Sequence, residues 1–335
     1  MFKNPFRPRR KNGPTALQRR GQLYVDRLRG QAPPPRRDPG AMPRIGVALG
    51  GGSARGLSHI PYIEAMDEMG LTPSIIAGTS IGALLGAGWA SGMSGKALRD
   101  HSFSVLSTVQ TMAGRVWSAQ IGDLNGLWRN GLSVQLDGLA VVNAFVPETL
   151  PQSFDGLKVP LYVVATDYHS WHQVVFNTGP LRPAIAGSIS IPSFFRPVSF
   201  ANHLLVDGGV VNPLPVDQAA DCDVLVAIDV NGDPTAHRYV AAPSALDTWF
   251  GSAQIMMHSL MAQMLAAYPP DVFVRPRVSE FGFLEFWRVK EILAAVEADK
   301  DNFKRQLSRA IDGFIADPER TAATEPLRGV HQDRK

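Results

Sequence analysis

Four short apolar runs divide the first two-thirds of the chain: Arg44-Ile45-Gly46-Val47-Ala48-Leu49, Ser74-Ile75-Ile76-Ala77, Pro160 to Asp167, and Val224-Leu225-Val226-Ala227-Ile228. Each is nearly continuous and not alternating, which is the pattern of a parallel strand covered on both faces. A helical pattern over about Leu57 to Met69 separates the first two. Ile81 to Ala90, all small or apolar, reads as a tightly packed helix after the second. Strand, helix, strand, helix in that order implies a parallel sheet with crossovers, and hence an α/β fold. Further on, His172 to Asn177 is placed to pair beside the third run. Leu181 to Gly187 and Pro215 to Ala220 read as short helices, and Ile191 to Phe195 as a tight apolar corner. Asn202-His203 reads as a hairpin turn leading into Leu204-Leu205-Val206. Residues 93–155 read as helix and loop with scattered aromatics. The last third is helical, with a Met-rich stretch over Ala245 to Ala267 and a charged, amphipathic one over Leu284 to Ile315.

Composition adds boundaries to this pattern. With 335 residues, 45% of them hydrophobic, the chain can bury a full core. A single cysteine, Cys222, excludes an internal disulfide framework and a multi-cysteine metal site. The net charge of +3 is uneven: residues 1–44 hold 12 Lys/Arg against Asp26 and Asp38, a balance of +10, which leaves −7 for the other 291 residues. Residues 1–43 therefore read as a basic, disordered N-terminal arm, 44–316 as the folded body with a helical C-terminal part, and 317–335 as a polar tail. The arm offers an anionic membrane surface a contact, but carries no nucleic-acid module, so no nucleic acid is expected as a partner. No apolar run follows the N-terminal charges, so a cytoplasmic protein, peripheral on the inner face of the membrane, is expected. Met69 to Gly95 is 27 residues without a charge, but Pro73 and seven glycines suit a strand, turn and helix better than a membrane span.

Two glycine-rich turns carry the candidate chemistry. Gly78-Thr79-Ser80-Ile81-Gly82 is a G-x-S-x-G between a strand and a helix, a setting that pushes a serine hydroxyl out of the sheet edge at a helix N-terminus. Gly50-Gly51-Gly52-Ser53-Ala54-Arg55-Gly56 follows the first strand. As a dinucleotide turn it lacks the acid expected at the end of the next strand, which finishes in Ala77-Gly78-Thr79-Ser80; as a P-loop it lacks Gly-Lys-Ser/Thr. Its other use is an oxyanion hole of backbone N–H groups. A serine nucleophile needs a base, and none of the eight histidines sits in a setting that marks it as one. Asp207, at the end of an apolar strand and followed by Gly208-Gly209, is more distinctive. The methionines of Ile255 to Met261 fit core packing better than an acyl pocket.

Together these stretches resemble the patatin-like phospholipase family, in the manner of its short bacterial members. Gly51-Gly52-Ser53-Ala54-Arg55-Gly56 is similar to its G-G-G-x-R/K-G oxyanion loop, and Gly78 to Gly82 to its nucleophile elbow. Asp207-Gly208-Gly209 with Val210-Val211-Asn212-Pro213-Leu214-Pro215 is similar to its D-G-G/A block. Ser190-Ile191-Pro192 with Phe195 and Pro197 resembles the stretch before that block. Ser53 departs from the pattern by standing where a third glycine is usual. The resemblance implies a three-layer α/β/α sandwich with a mainly parallel central sheet. It also implies a Ser–Asp dyad, with Ser80 as nucleophile and Asp207 as base, that needs no histidine, metal or cofactor. The oxyanion hole would be formed by the amides of Gly51, Gly52 and Ser53, with Gly50, Arg55, Gly56, Gly78, Gly82, Gly208 and Gly209 in support. The implied activity is hydrolysis of phospholipid, lysophospholipid or related acyl esters. Acyl transfer by the same dyad stays open, as does a lipid-binding scaffold with little hydrolysis.

Overall fold

The computed structural model describes residues 42–106, 135–232 and 245–317. The basic arm up to residue 41, the middle of the 93–155 segment and the tail after residue 317 lie outside the described residues. Within them the chain runs β1 (Ile45–Leu49), α1 (His59–Glu68), β2 (Ile75–Thr79), α2 (Ile81–Ala90), α3 (Gly95–Leu106) and α4 (Gly138–Phe145). It continues through β3 (Leu161–Asp167), β4 (His172–Phe176), α5 (Leu181–Ser188), β5 (Val198–Phe200), β6 (His203–Asp207), α6 (Val216–Ala219) and β7 (Val224–Ile228). The last elements are α7 (Ala245–Ala267), β8 (Val272–Val274), α8 (Val289–Glu297) and α9 (Lys300–Ala316).

The strands form one sheet in the order β5-β6-β3-β2-β1-β7-β8, with β4 also paired to β3. The five from β3 to β8 are parallel to one another. β4 and β6 join β3 antiparallel, and β5 pairs antiparallel with β6. Alternate residues of the central strands feed two cores. Val47, Leu49, Ile76, Val224, Val226 and Ile228 pack with residues of α1, α2, α5, α8 and α9. Ala48, Ala77, Leu225 and Ala227 face α6 and α7 through Leu214, Val216, Ala219, Met261, Met264 and Leu265. This is a three-layer α/β/α sandwich whose sheet is parallel at its centre and antiparallel at one end. The small residues Ala48 and Ala77 matter on the second face, and Gly46 more so: a Cβ there would sit 2.3 Å from the Ala219 carbonyl oxygen. α6 therefore lies directly on β1.

Several boundaries differ from the reading of the sequence, each for a local reason. β2 runs on through Gly78-Thr79, because these two keep parallel register with Val163 and Val164. The hairpin turn is Ala201-Asn202 and not Asn202-His203. Both turn residues have positive φ, 51° and 63°, as a two-residue turn matched to strand twist demands, and His203 already pairs with Phe200. Three-residue strands β5 and β8 were not foreseen. The amphipathic stretch over Leu284 to Ile315 is broken between Glu297 and Lys300 into α8 and α9. Phe303, Leu307 and Ile311, spaced four apart, form the buried stripe of α9, with Phe303 edge-on to Tyr62 of α1 at 5.1 Å. The charge-free Met69 to Gly95 segment is β2 and α2 within the sandwich. No helix among the described residues is long and apolar enough to cross a membrane.

Candidate active site

Residue Ser80 is the hinge between β2 and α2. Its backbone sits at φ 55°, ψ −124°, a conformation that costs an L-residue roughly 1–3 kcal/mol unless its surroundings hold it. Three bonds do so. The Ser80 carbonyl accepts from the amides of Ala83 and Leu84, closing the first turn of α2. The Ser80 amide donates to Ser188 Oγ at 2.8 Å. The flanking glycines make room: a Cβ at Gly82 would lie 2.2 Å from the Leu49 carbonyl oxygen, and one at Gly78 2.6 Å from the Ala83 backbone. The N-terminus of α2 thereby crosses close over β1 and β2, with its dipole directed at the serine.

The end of β6 brings Asp207 to the same place. In β3, Val164 is level with Thr79 and Ala165 with Asp207. β2 runs parallel to β3 and β6 antiparallel, so their C-terminal ends approach each other at mid-strand. Ser80 Oγ–H donates to Asp207 Oδ2 at 2.6 Å. The other carboxylate oxygen accepts the Gly209 amide at 2.7 Å. Gly208 lies so close to β3 that a Cβ would meet the Val164 carbonyl oxygen at 2.2 Å. Only 5% of Ser80 and 6% of Asp207 is exposed. Burial pushes the Asp207 carboxyl up to about 6, against the opposing pull of the Ser80 and Gly209 bonds. It remains mostly ionised at neutral pH.

The glycine-rich turn lies alongside: a Cβ on Gly51 would come within 3.3 Å of Ser80 Cβ. Its amides divide into two sets. Gly50 N–H is bound to Ile228 O at 3.0 Å, Gly51 N–H to Pro213 O at 2.9 Å and Ala54 N–H to Phe283 O at 3.0 Å. Those of Gly52 and Ser53 make no hydrogen bond to the described residues, whereas Gly51, expected beside them as an oxyanion donor, has its amide engaged. Ser53 has φ 53°, the left-handed region that glycine enters without cost, which gives a physical reason for glycine being usual there. Gly52 is wedged against Val230, whose Cγ2 would be 2.7 Å from an added Cβ, and Gly56 against Ile81, with a separation of 2.0 Å. Arg55 is buried: its Nε donates to Phe281 O at 2.8 Å and its Nη1 to Asn231 O at 2.8 Å. It pins the loop to segments that follow β7 and β8.

Some neighbours of the dyad were not read from the sequence. Ser188, at the end of α5, holds the Ser80 amide. Thr166 Oγ1 donates to the Asp207 carbonyl at 2.8 Å, and Thr79 Oγ1 to Asn212 O at 2.8 Å. His59 is fully buried and its Nε2 bonds Gly50 O at 2.9 Å. A carbonyl only accepts, so this nitrogen carries the proton. Burial lowers the ring to about 4, so it stays neutral. Met261 and Met264 are core residues, whereas Met257 reaches the Asp207 turn: its Sδ would be 3.4 Å from a Cβ on Gly209.

This arrangement can be set beside known proteins. A family model described as patatin-like phospholipase matches residues 47–220. The chain belongs to the patatin-like phospholipase family. The matched part of this patatin-like chain runs from β1 to α6 and holds the elbow, the glycine turn and the Asp-Gly-Gly block. An NTE family protein of Mycobacterium bovis is 32% identical over 209 residues, covering 62% of this chain and 54% of that one. Lysophospholipase NTE1 of Pyricularia oryzae is 25% identical over 320 residues, covering 87% of this chain and 20% of that one. The patatin-like chain thus spans about half the length of the first of these relatives and a fifth of the second. Among solved structures, VipD from Legionella pneumophila is similar over 78% of this chain and 67% of its own, at 16% identity and a TM-score of 0.42.

Proposed function

We infer that the chain is a serine acyl hydrolase acting on phospholipids, lysophospholipids or related acyl esters through a Ser80–Asp207 dyad. The observation that carries this reading is the 2.6 Å bond from the Ser80 hydroxyl to a buried carboxylate. In the reaction, Ser80 Oγ attacks the ester carbonyl carbon while its proton passes to Asp207 Oδ2. The carbonyl oxygen, now an alkoxide, is met by the amides of Gly52 and Ser53 and lies near the positive end of α2. Asp207 then gives its proton to the departing alcohol, leaving an acyl ester on Ser80. A water, losing a proton to Asp207, attacks that ester and releases the fatty acid, and the proton returns to Ser80. A carboxyl with an ordinary pKa would be a weak base for a hydroxyl; one raised to about 6 is better matched to work near neutral pH.

The lipid class is supported by family membership and by a relative bearing the name lysophospholipase. Attraction of the basic N-terminal arm to anionic bilayers is part of the same proposal. The test is to incubate the full chain and Ser80→Ala with lysophosphatidylcholine micelles and phosphatidylcholine vesicles and to quantify fatty acid by mass spectrometry. Release by the full chain alone supports the proposal. Absence of release from both lipids and from a soluble short-chain ester would leave lipid binding without hydrolysis as the better reading.

A further inference from the structure

Helix α5 ends at Ser188 and is followed by Ile189-Ser190, and both serines are buried, at 0% and 1% exposure. Ser188 Oγ accepts the Ser80 amide at 2.8 Å and donates to the Val164 carbonyl at 2.6 Å. Val164 is the β3 residue in register with Thr79, the last residue of β2. The chain turns at Ser80 just where the next amide would seek a partner on β3. The Ser188 hydroxyl fills the gap, joining Ser80 to β3 through one inserted oxygen. Two residues on, the Ser190 carbonyl accepts the Asp207 amide at 2.9 Å. The Ser190 hydroxyl is tied back to Ala186 O at 2.6 Å, fixing this corner to its own helix. A three-residue stretch is therefore bonded to the backbone amides of both Ser80 and Asp207.

We propose that Ser188 is a positioning residue for the nucleophile. Its hydroxyl fixes the Ser80 amide against β3 and, with the Ser190 carbonyl, sets the spacing of Ser80 Oγ from the Asp207 carboxylate. Neither serine touches the reacting atoms; both act through the backbone of those that do. The proposal rests on the Ser80–Asp207 reading of the function. A reacting geometry is sensitive at this scale, since a displacement of about 1 Å can cost about 100-fold in rate. A serine that merely satisfies a buried amide would alter melting and leave the chemistry of the folded molecules intact.

The experiment compares the full-length wild type with Ser188→Ala, Ser188→Gly and Ser188→Thr, well below their melting temperatures. It reads the rate of fluorophosphonate labelling at Ser80 and kcat and KM on a soluble short-chain ester. Ser188→Ala is expected to lower kcat and the labelling rate about 10- to 100-fold with KM within about twofold. Ser188→Thr, which keeps the hydroxyl, should recover most of the loss. Ser188→Gly, which adds no atom, serves if the alanine variant does not fold and should behave like it. Wild-type labelling rates in folded Ser188→Ala or Ser188→Gly would overturn the proposal, as would a loss confined to KM or no recovery by a folded Ser188→Thr. If the wild type itself is not labelled at Ser80, the dyad fails and not the clamp alone.

Discussion

Replacing Asp207 by asparagine should abolish turnover and remove a pH-dependent loss of stability at the same time. The asparagine oxygen can still accept the Gly209 amide, and its NH2 can donate to Ser80 Oγ, so the contact persists with donor and acceptor exchanged, while the Ser80 hydroxyl proton and one amide hydrogen lose their acceptor. What disappears is a buried negative charge. A carboxyl raised from 3.8 to about 6 in the fold has its ionised form disfavoured by about 3 kcal/mol. The folded state binds this proton more tightly than the unfolded chain does. Its contribution to stability is therefore complete below about pH 4 and is lost as pH rises through about 6. Asparagine has no such loss, so the stability difference between the two proteins should move in the variant's favour by about 1.4 kcal/mol from pH 5 to pH 8. Urea denaturation of the two proteins at both pH values measures the gap, and a short-chain ester assay measures turnover, expected to fall by about 10³-fold or more. A difference that stays constant or moves in the wild type's favour towards pH 8 would refute the assignment of a raised, charge-burying Asp207. Turnover surviving in the variant would refute its role as base.

Other outcomes follow from the same geometry. The wild-type kcat/KM on a soluble ester should rise with pH through a single ionisation near 6 and then level off, because only ionised Asp207 takes the Ser80 proton; a pH–rate profile checks this. Arg55→Ala removes two buried bonds to carbonyls, so about 1–3 kcal/mol of stability should be lost in urea melts, and activity should fall as the glycine turn loosens. Deleting residues 1–40 should weaken co-sedimentation with anionic vesicles strongly at low salt and with neutral vesicles little, while short-chain ester hydrolysis stays nearly unchanged.

The elements that could be read from sequence are those whose pattern is set locally. β7 (Val224–Ile228) and α2 (Ile81–Ala90) match to the residue, because one is apolar on both faces and the other is bounded by a turning serine and uniformly small or apolar. The three separated motifs were legible because Gly52, Gly56, Gly78, Gly82 and Gly208 each mark a close approach that leaves no room for a Cβ. What was not legible depends on partners far away. β8 is three residues between Pro269-Pro270 and Pro276, and is a strand because the β7 edge is there to pair with it. Gly51 offers the same amide in sequence as Gly52, and only the arrival of Pro213 O engages it in a backbone bond. Ser188 directly follows the helix read over Leu181 to Gly187 and carries no motif of its own; the role proposed for it comes from a bond to Ser80 across 108 positions of sequence. Arg55 has the composition of a surface residue, and its burial follows from carbonyls supplied by segments more than 170 positions later.

The proposed function stands on Ser80 being a nucleophile activated by Asp207. Treating the full chain with a fluorophosphonate and mapping the adduct by peptide mass spectrometry addresses it most directly. One adduct is expected, on Ser80, absent from Ser80→Ala and formed at least about 100-fold more slowly in Asp207→Asn. An adduct on another serine, or labelling of Ser80 at an undiminished rate without Asp207, would contradict it.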